Sequence, residues 1–325
     1  MVKQWVKRDE KAKRFLLSDK IFKFAAAAAG AYVLAVILVI VLQLGIESMP
    51  IFEEEGLGFI TGTDWNPVPG RESFGAFPYI LGTLITSAIA LSIGFPLSIG
   101  IAMLVMIIPK KIGQPLGYLV ELIEAVPSVV FGLWGLFVFR IYFRDLIEKP
   151  LHDMFGDSIF LFGGTPFGLD ILTASIILAI MIIPTISSIS REVMMAVPQQ
   201  QKEAAYMLGS TTFEMFRMAI FPYSKTGLLG ASMLGLGRAV GETMAVTMLI
   251  GNATGLRAIP QSLFDSSQSM PSIIANEFIE ASPVSLHPAA LIGIGLILLA
   301  VGLGINIAAY FLVARMVKVN EGPIH

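Results

Sequence analysis

The chain has 325 residues, of which 55% are hydrophobic and only 14% are Asp, Glu, Lys or Arg, with a mean hydropathy of +0.77. Soluble domains carry roughly 25% charged residues, so this composition excludes a soluble globular surface, disorder, collagen and a coiled coil. Cysteine is absent and the net charge is −2, which excludes disulfides, Cys-ligated zinc, iron–sulfur clusters and thiol catalysis.

Residues 1–23 form a basic arm running from Lys3 to Lys23. It reads either as a topology signal near anionic lipid or as a partner site. Six apolar runs follow, near 24–46, 80–108, 116–139, 171–189, 227–250 and 289–314. A helix needs about 20 apolar residues to cross the hydrocarbon, so each run predicts one span. The first is a retained anchor: it exceeds the roughly 7–15 residues of a signal-peptide core, and its small-residue tract stands at its start. The predicted fold is an all-α polytopic membrane protein with six transmembrane helices. Residues 24–79 hold the first span and an extracytoplasmic loop, 80–314 the core, and 315–325 a cytoplasmic tail.

With both termini inside, sixteen of the 22 Lys and Arg fall on the cytoplasmic side and five outside, a strong positive-inside bias. The outer loops hold 14 of the 24 acids. The first of them, 47–79, contains Gly62-Thr-Asp-Trp-Asn-Pro67. Its Asp64 and Trp65 are candidate docking residues, and Trp65 reads equally as an interface anchor. Pro127 in the third run is expected to kink the helix, and Pro96 in the second to do likewise. Glu121 and Glu124, spaced i, i+3 just before Pro127, share a face. They read as interfacial carboxylates or as gating residues together with Pro127.

The largest inner loop, 190–226, contains Val197-Pro-Gln-Gln-Gln-Lys-Glu-Ala-Ala-Tyr-Met-Leu-Gly209. Its helix formers end at Gly209, and a second amphipathic stretch, 212–220, is expected to stop at Pro222. Two short helices meeting at a glycine suit docking into a groove of a soluble partner, or an interfacial helix pair without one.

Glu203-Ala204-Ala205, three residues, Gly209, nine residues and Ala219-Ile-Phe-Pro222 resembles the EAA loop of ABC-importer permeases, with Ala219 and Phe221 replacing the usual Ile and Leu. In that family the loop forms a coupling helix seated in a cleft of the ATPase subunit. Gly62–Pro67, Glu124-Ala-Val-Pro-Ser-Val-Val-Phe-Gly-Leu-Trp-Gly-Leu136 and Gly235-Leu-Gly-Arg-Ala-Val-Gly-Glu-Thr-Met-Ala-Val246 are similar to the phosphate-specific permeases of type I ABC importers. The likeness runs from about residue 59 to the sixth span.

The resemblance implies a type I ABC importer permease-like fold in the cytoplasmic membrane of a bacterium or archaeon, with both termini cytoplasmic. It implies a second permease, an ATPase dimer and an extracytoplasmic phosphate-binding protein as partners. ATP and Mg would sit on the ATPase, with no cofactor on this chain. The sister permease of the same transporter, or a permease for sulfate or phosphonate, is the alternative. Acidic outer loops suit docking of a binding protein that carries the anion itself. No G-x4-G-K-[ST] loop or H-E-x-x-H motif occurs, so nothing here predicts ATP hydrolysis or metalloenzyme chemistry. A stand-alone secondary transporter would need its own coupling-ion residues, and only four charges fall inside the runs.

Two of those four, Arg238 and Glu242, are spaced i, i+4 and would share a helix face. Charges at such depth face a bundle interior or a wet cavity. They read either as a structural pair or as part of the phosphate route, with Arg238 offering its guanidinium fork and Glu242 positioning it. The spacing of Gly235, Gly237 and Gly241 predicts close helix packing.

Overall fold

The computed structural model describes residues 2–320 apart from 157, with side chains described over 19–156 and 158–315. Most basic side chains of the 1–23 arm, and residues 321–325 of the predicted tail, therefore lie outside the described residues. Within the described part of the arm, Lys23 pairs with Asp19 at 2.7 Å.

Among the described residues, four unbroken helices are long and apolar enough to cross a membrane: Asp19–Glu55, Phe77–Ile107, Ile171–Met195 and His287–Arg315. The first is almost wholly uncovered by protein, with Leu34, Leu38 and Leu42 more than half exposed, as expected of a helix whose solvent is lipid. Ile171–Met195 is the most enclosed of the four. It is the axis of the molecule, packed on one side by Phe77–Ile107 and on another by the helix carrying Arg238.

The other two predicted runs are broken, so six straight spans do not form. The third consists of Lys110–Glu124 and Ser128–Phe155, which meet at 88°. Pro127 causes the break: it has no N–H to donate, its φ and ψ are −58° and 140°, and it disfavours helical geometry for Val126. The fifth run is helical over 221–241 and again over Met244–Leu249, with Glu242 extended between them at φ −69° and ψ 125°. Phe77–Ile107, by contrast, continues through Pro96.

A helix predicted to stop at Pro222 instead continues, and residues 212–241 form one helical run. The π-turn Phe216–Ile220 ends two residues before Pro222, and a second π-turn, Arg144–Glu148, ends two residues before Pro150. The wider turn shifts the bonding pattern where the proline brings no donor, so the chain remains helical.

Three apolar cores result. The central one joins Ala90, Ile177, Leu178, Ile182, Ile186 and Leu249. Here Gly235 lets two helices approach closely: a Cβ on it would lie 2.4 Å from Ile186 Cδ1, whereas Gly237 and Gly241 face open space. Packing thus explains one of the three glycines. An outer core gathers Ile51, Phe59, Phe74, Tyr79, Met270 and Leu291. It is roofed by a two-stranded antiparallel ribbon that pairs Trp65 with Phe74 and Asn66 with Ser73. A third core, of Ala102, Met194, Val197, Ala205, Met215 and Phe216, closes the opposite end.

Candidate functional site

Arg238 stands in the last turn of its helix, where a cation suits the negative end of the helix dipole. Its Nη1 donates to Glu124 Oε1 at 2.8 Å and to Thr185 Oγ1 at 2.9 Å, and Thr185 Oγ1 donates to the same Glu124 oxygen at 2.9 Å. Three chain segments meet in this triad: the break at Pro127, the axial helix and the end of the 212–241 run. The Arg238 and Glu124 side chains are 31% and 42% exposed. The pair therefore borders an open face of the protein rather than a sealed core, which suits a solvated passage.

The i, i+4 pair of Arg238 with Glu242 is not formed. The helix that would align them ends at Gly241, and Glu242 turns forward so that its Oε1 accepts from Ala245 N at 3.3 Å. The first amides of a helix have no partner within it and attract a carboxylate; here the short Met244–Leu249 helix offers them. Glu242 also lines a small cleft, one water in size, with Thr83, Thr86 and Ser87. Arg238 thus lies just before the break and Glu242 at it, and a discontinuous helix is an arrangement used by membrane transport sites.

Glu121 and Glu124 do share a face, and both meet the axial helix. Glu121 Oε1 accepts from Arg191 Nη2 at 2.6 Å, one turn and a half below Thr185. Gly117 makes room for that arginine, since a Cβ there would lie 2.4 Å from Arg191 Nη1. Pro127 marks the break directly beyond Glu124.

The EAA segment forms the helix Gln199–Met207. Ala205 is buried in the third core, while Glu203, Ala204 and Gly209 are exposed. Tyr206, Met207 and Leu208 are 47%, 87% and 84% exposed, a large apolar surface at a tip that none of the described residues covers. Gly209 adopts φ +79°, a left-handed conformation that favours glycine. Ser210 N and Oγ then both donate to Ala205 O, at 3.3 and 2.8 Å. A capping box follows at once: Glu214 N donates to Thr211 Oγ1 at 3.3 Å, and Thr211 N to Glu214 Oε2 at 2.8 Å. Those bonds from Thr211 hold the Glu214 carboxyl below the usual carboxylate range. The two helices are thus capped from both sides of one glycine.

Trp65 is half-buried and tied into the outer core. Its Nε1 donates to Glu277 Oε2 at 2.9 Å, and its ring packs edge-on against Phe74 and Tyr79 at 4.9 and 5.1 Å. His287 Nε2 meets the same Glu277 oxygen at 2.8 Å. The indole is consumed in building the outer cap, whereas Asp64 beside it is exposed. Sequence reading missed Thr185 and the role of Glu124 as partner to Arg238. A hydroxyl directly after Pro184 was the available signal for the first.

A family model for binding-protein-dependent transport system inner membrane components matches residues 94–318. The phosphate transport system permease protein PstC of Pasteurella multocida is 45% identical over 295 residues, covering 90% of this chain and 90% of that protein. The protein of the same name from Mesorhizobium japonicum is 41% identical over 313 residues, covering 95% and 94%. Among solved structures, a chain of the inward-facing MetNI methionine ABC transporter matches with a TM-score of 0.51 at 15% identity, covering 72% of this chain and 93% of that one. That likeness concerns the fold.

Proposed function

This chain belongs to the binding-protein-dependent transport inner membrane components and, within them, to the PstC phosphate permeases, and from that premise we propose that it conducts inorganic phosphate inward past Arg238 as an ABC importer permease. It is a multi-pass transport subunit. In this reading it pairs with a second, PstA-like permease, a PstB-like ATPase dimer that binds ATP and Mg, and a PstS-like phosphate-binding protein outside. The membrane is the cytoplasmic one, with both termini inside.

The observation that carries the reading is the continuity of residues 212–241. One helical run joins the capped glycine turn behind the EAA helix to Arg238, roughly 39 Å away at 1.5 Å per residue. A displacement of the exposed Tyr206–Leu208 tip by an ATPase would be carried along this rod to the triad. Glu203, Ala204, Ala205 and Gly209 form the coupling element. Movement at Arg238 would separate it from Glu124 and Thr185, freeing the guanidinium for a phosphate oxygen pair. The return of Glu124 would compete with the bound anion and speed its release. Glu124 thus takes the part that helical spacing offered to Glu242, and Glu121 with Arg191 holds the lower end of the same contact. Pro127 is the flexing point, and Asp64 is exposed to meet the binding protein.

The test is reconstitution with the companion subunits in vesicles and measurement of labelled phosphate uptake. Uptake that requires ATP inside and binding protein outside supports the proposal. Uptake by this chain alone, without an ATPase, contradicts it.

A further inference from the structure

At the outer end of the molecule, a cavity of about 370 Å³ opens between the Ser128–Phe155 helix and the loops that precede Ile171 and follow Leu249. Its walls include Arg140, Arg144, Phe167, Leu169, Gly251 and Ser266. Small-molecule sites span roughly 300–1,000 Å³, so this one suits a small ligand.

The two arginines are not equivalent. Arg144 Nε and Nη2 donate to the two carboxylate oxygens of Asp145 at 2.9 and 3.3 Å. Arg140 has no ion pair among the described residues, and its Nε, shut off from solvent, has no hydrogen-bond partner. No carboxylate on the adjoining elements pairs with Arg140 among the described residues. Glu148 accepts from Thr173 Oγ1 at 2.7 Å and Gly168 N at 3.1 Å, and Asp145 serves Arg144 and Lys149. Asp170 accepts from Thr173 N at 2.8 Å through Oδ1, while its buried Oδ2 is without a partner among the described residues. Arg140 is half-buried, and its desolvated, unbonded Nε beside a second guanidinium would gain a partner from an anion in the cavity.

We propose that Arg140, backed by Arg144, binds a tetrahedral phosphate group in this outer cavity. A guanidinium presents parallel donors that match two oxygens of such a group. Ser266 Oγ donates to Leu169 O at 3.0 Å, so its lone pairs can accept from a protonated phosphate oxygen. A site with both donors and an acceptor fits a partly protonated phosphate better than a fully ionised carboxylate. The group has two sources: inorganic phosphate on its way to Arg238, which rests on the function proposed above, or the headgroup of an outer-leaflet phospholipid.

The test uses the full assembly with its companion subunits made cysteine-free, in a sugar-headed detergent without phospholipid. This chain has no cysteine of its own, so Ser266→Cys carries a single reporter thiol. A negatively charged thiosulfonate reagent labels it, first alone, then with inorganic phosphate, then with phosphatidylglycerol. Protection by inorganic phosphate assigns the site to cargo, and protection by phosphatidylglycerol alone assigns it to lipid. In either case Arg140→Gln should raise the half-protecting concentration by about tenfold or more, the loss expected for a charge-assisted contact. Arg140→Lys keeps the charge without the fork and should fall between; it replaces Arg140→Gln if that variant does not assemble. Unchanged labelling with both additives, or protection undiminished in the Arg140 variants, overturns the proposal. Arg238→Gln separates this site from the function itself: it should abolish uptake while leaving protection at residue 266 intact.

Discussion

Arg238 and Glu124, 114 residues apart in sequence, are joined at 2.8 Å, while Glu242, one helical turn beyond Arg238, faces away toward Ala245. The arginine is therefore held by the segment that breaks at Pro127, and any motion at that break changes its charge environment.

Glu124→Gln should leave folding almost intact, because a pair this exposed contributes only about 0–1 kcal/mol. Transport should respond more strongly. Without a competing carboxylate Arg238 would hold phosphate longer, so the maximal uptake rate should fall about tenfold, equivalent to about 1.4 kcal/mol on the release step. The concentration for half-maximal uptake should fall with it. Saturation curves in vesicles check this; a raised half-maximal concentration at unchanged maximal rate would count against the release role.

Gly209→Pro should detach the ATPase. Proline is fixed near φ −65° and cannot adopt the +79° found there, so the Gln199–Met207 helix loses its return bonds to Ser210. The spans are untouched, and the chain should still insert. Gly209→Ala, with a left-handed cost of about 1–2 kcal/mol, should show a milder defect. Co-purification of the ATPase measures both, and full retention in Gly209→Pro contradicts the coupling role.

Orientation can be read by single cysteines in a chain that has none. Val68 is 55% exposed on the outer ribbon loop and Met207 is 87% exposed at the coupling tip. Val68→Cys should react with an impermeant reagent applied to intact cells, and Met207→Cys only after permeabilisation. The reverse pattern would invert the topology.

Asp170 caps the axial helix through Thr173 N and sits fully buried beside Glu148. Burial first, and the neighbouring Glu148 charge second, push its carboxyl from 3.8 up to about 8. A raised folded-state value means the folded protein holds a proton that the unfolded chain releases. Stability from this group is then complete below pH 3.8 and declines as pH rises toward about 8. Asp170→Asn keeps the cap and removes the titration. Its melting temperature should be flatter than that of the parent across this window, and an identical pH slope in the two proteins would refute the assignment.

Much of the fold was legible because long apolar runs obey the energetics of the bilayer directly. The helix–glycine–helix element was legible too, since helix formers ending at Gly209 and the amphipathic stretch after it are local signals. What sequence could not supply was the partner of Arg238. The i, i+4 argument assumed an unbroken helix through Glu242, and nothing local announces that the chain there becomes extended. The contact to Glu124 is created by the 88° bend at Pro127, whose direction depends on packing. The contact made by Trp65 was not legible for a similar reason. Its indole finds Glu277 across 212 residues, a pairing that only the closed outer cap brings about.

The proposed role of Arg238 is to serve the phosphate passage rather than only the packing of three segments. The most direct measurement combines Arg238→Gln with Glu124→Gln in the reconstituted assembly and records phosphate uptake and binding-protein-stimulated ATP hydrolysis in the same vesicles. The double variant leaves no orphan charge, so assembly should survive and hydrolysis should continue. If Arg238 contacts the cargo, uptake should be at least about tenfold lower, as expected for losing a charge-assisted bidentate contact. Normal uptake by the well-assembled double variant would contradict the account and reduce the triad to a structural clasp.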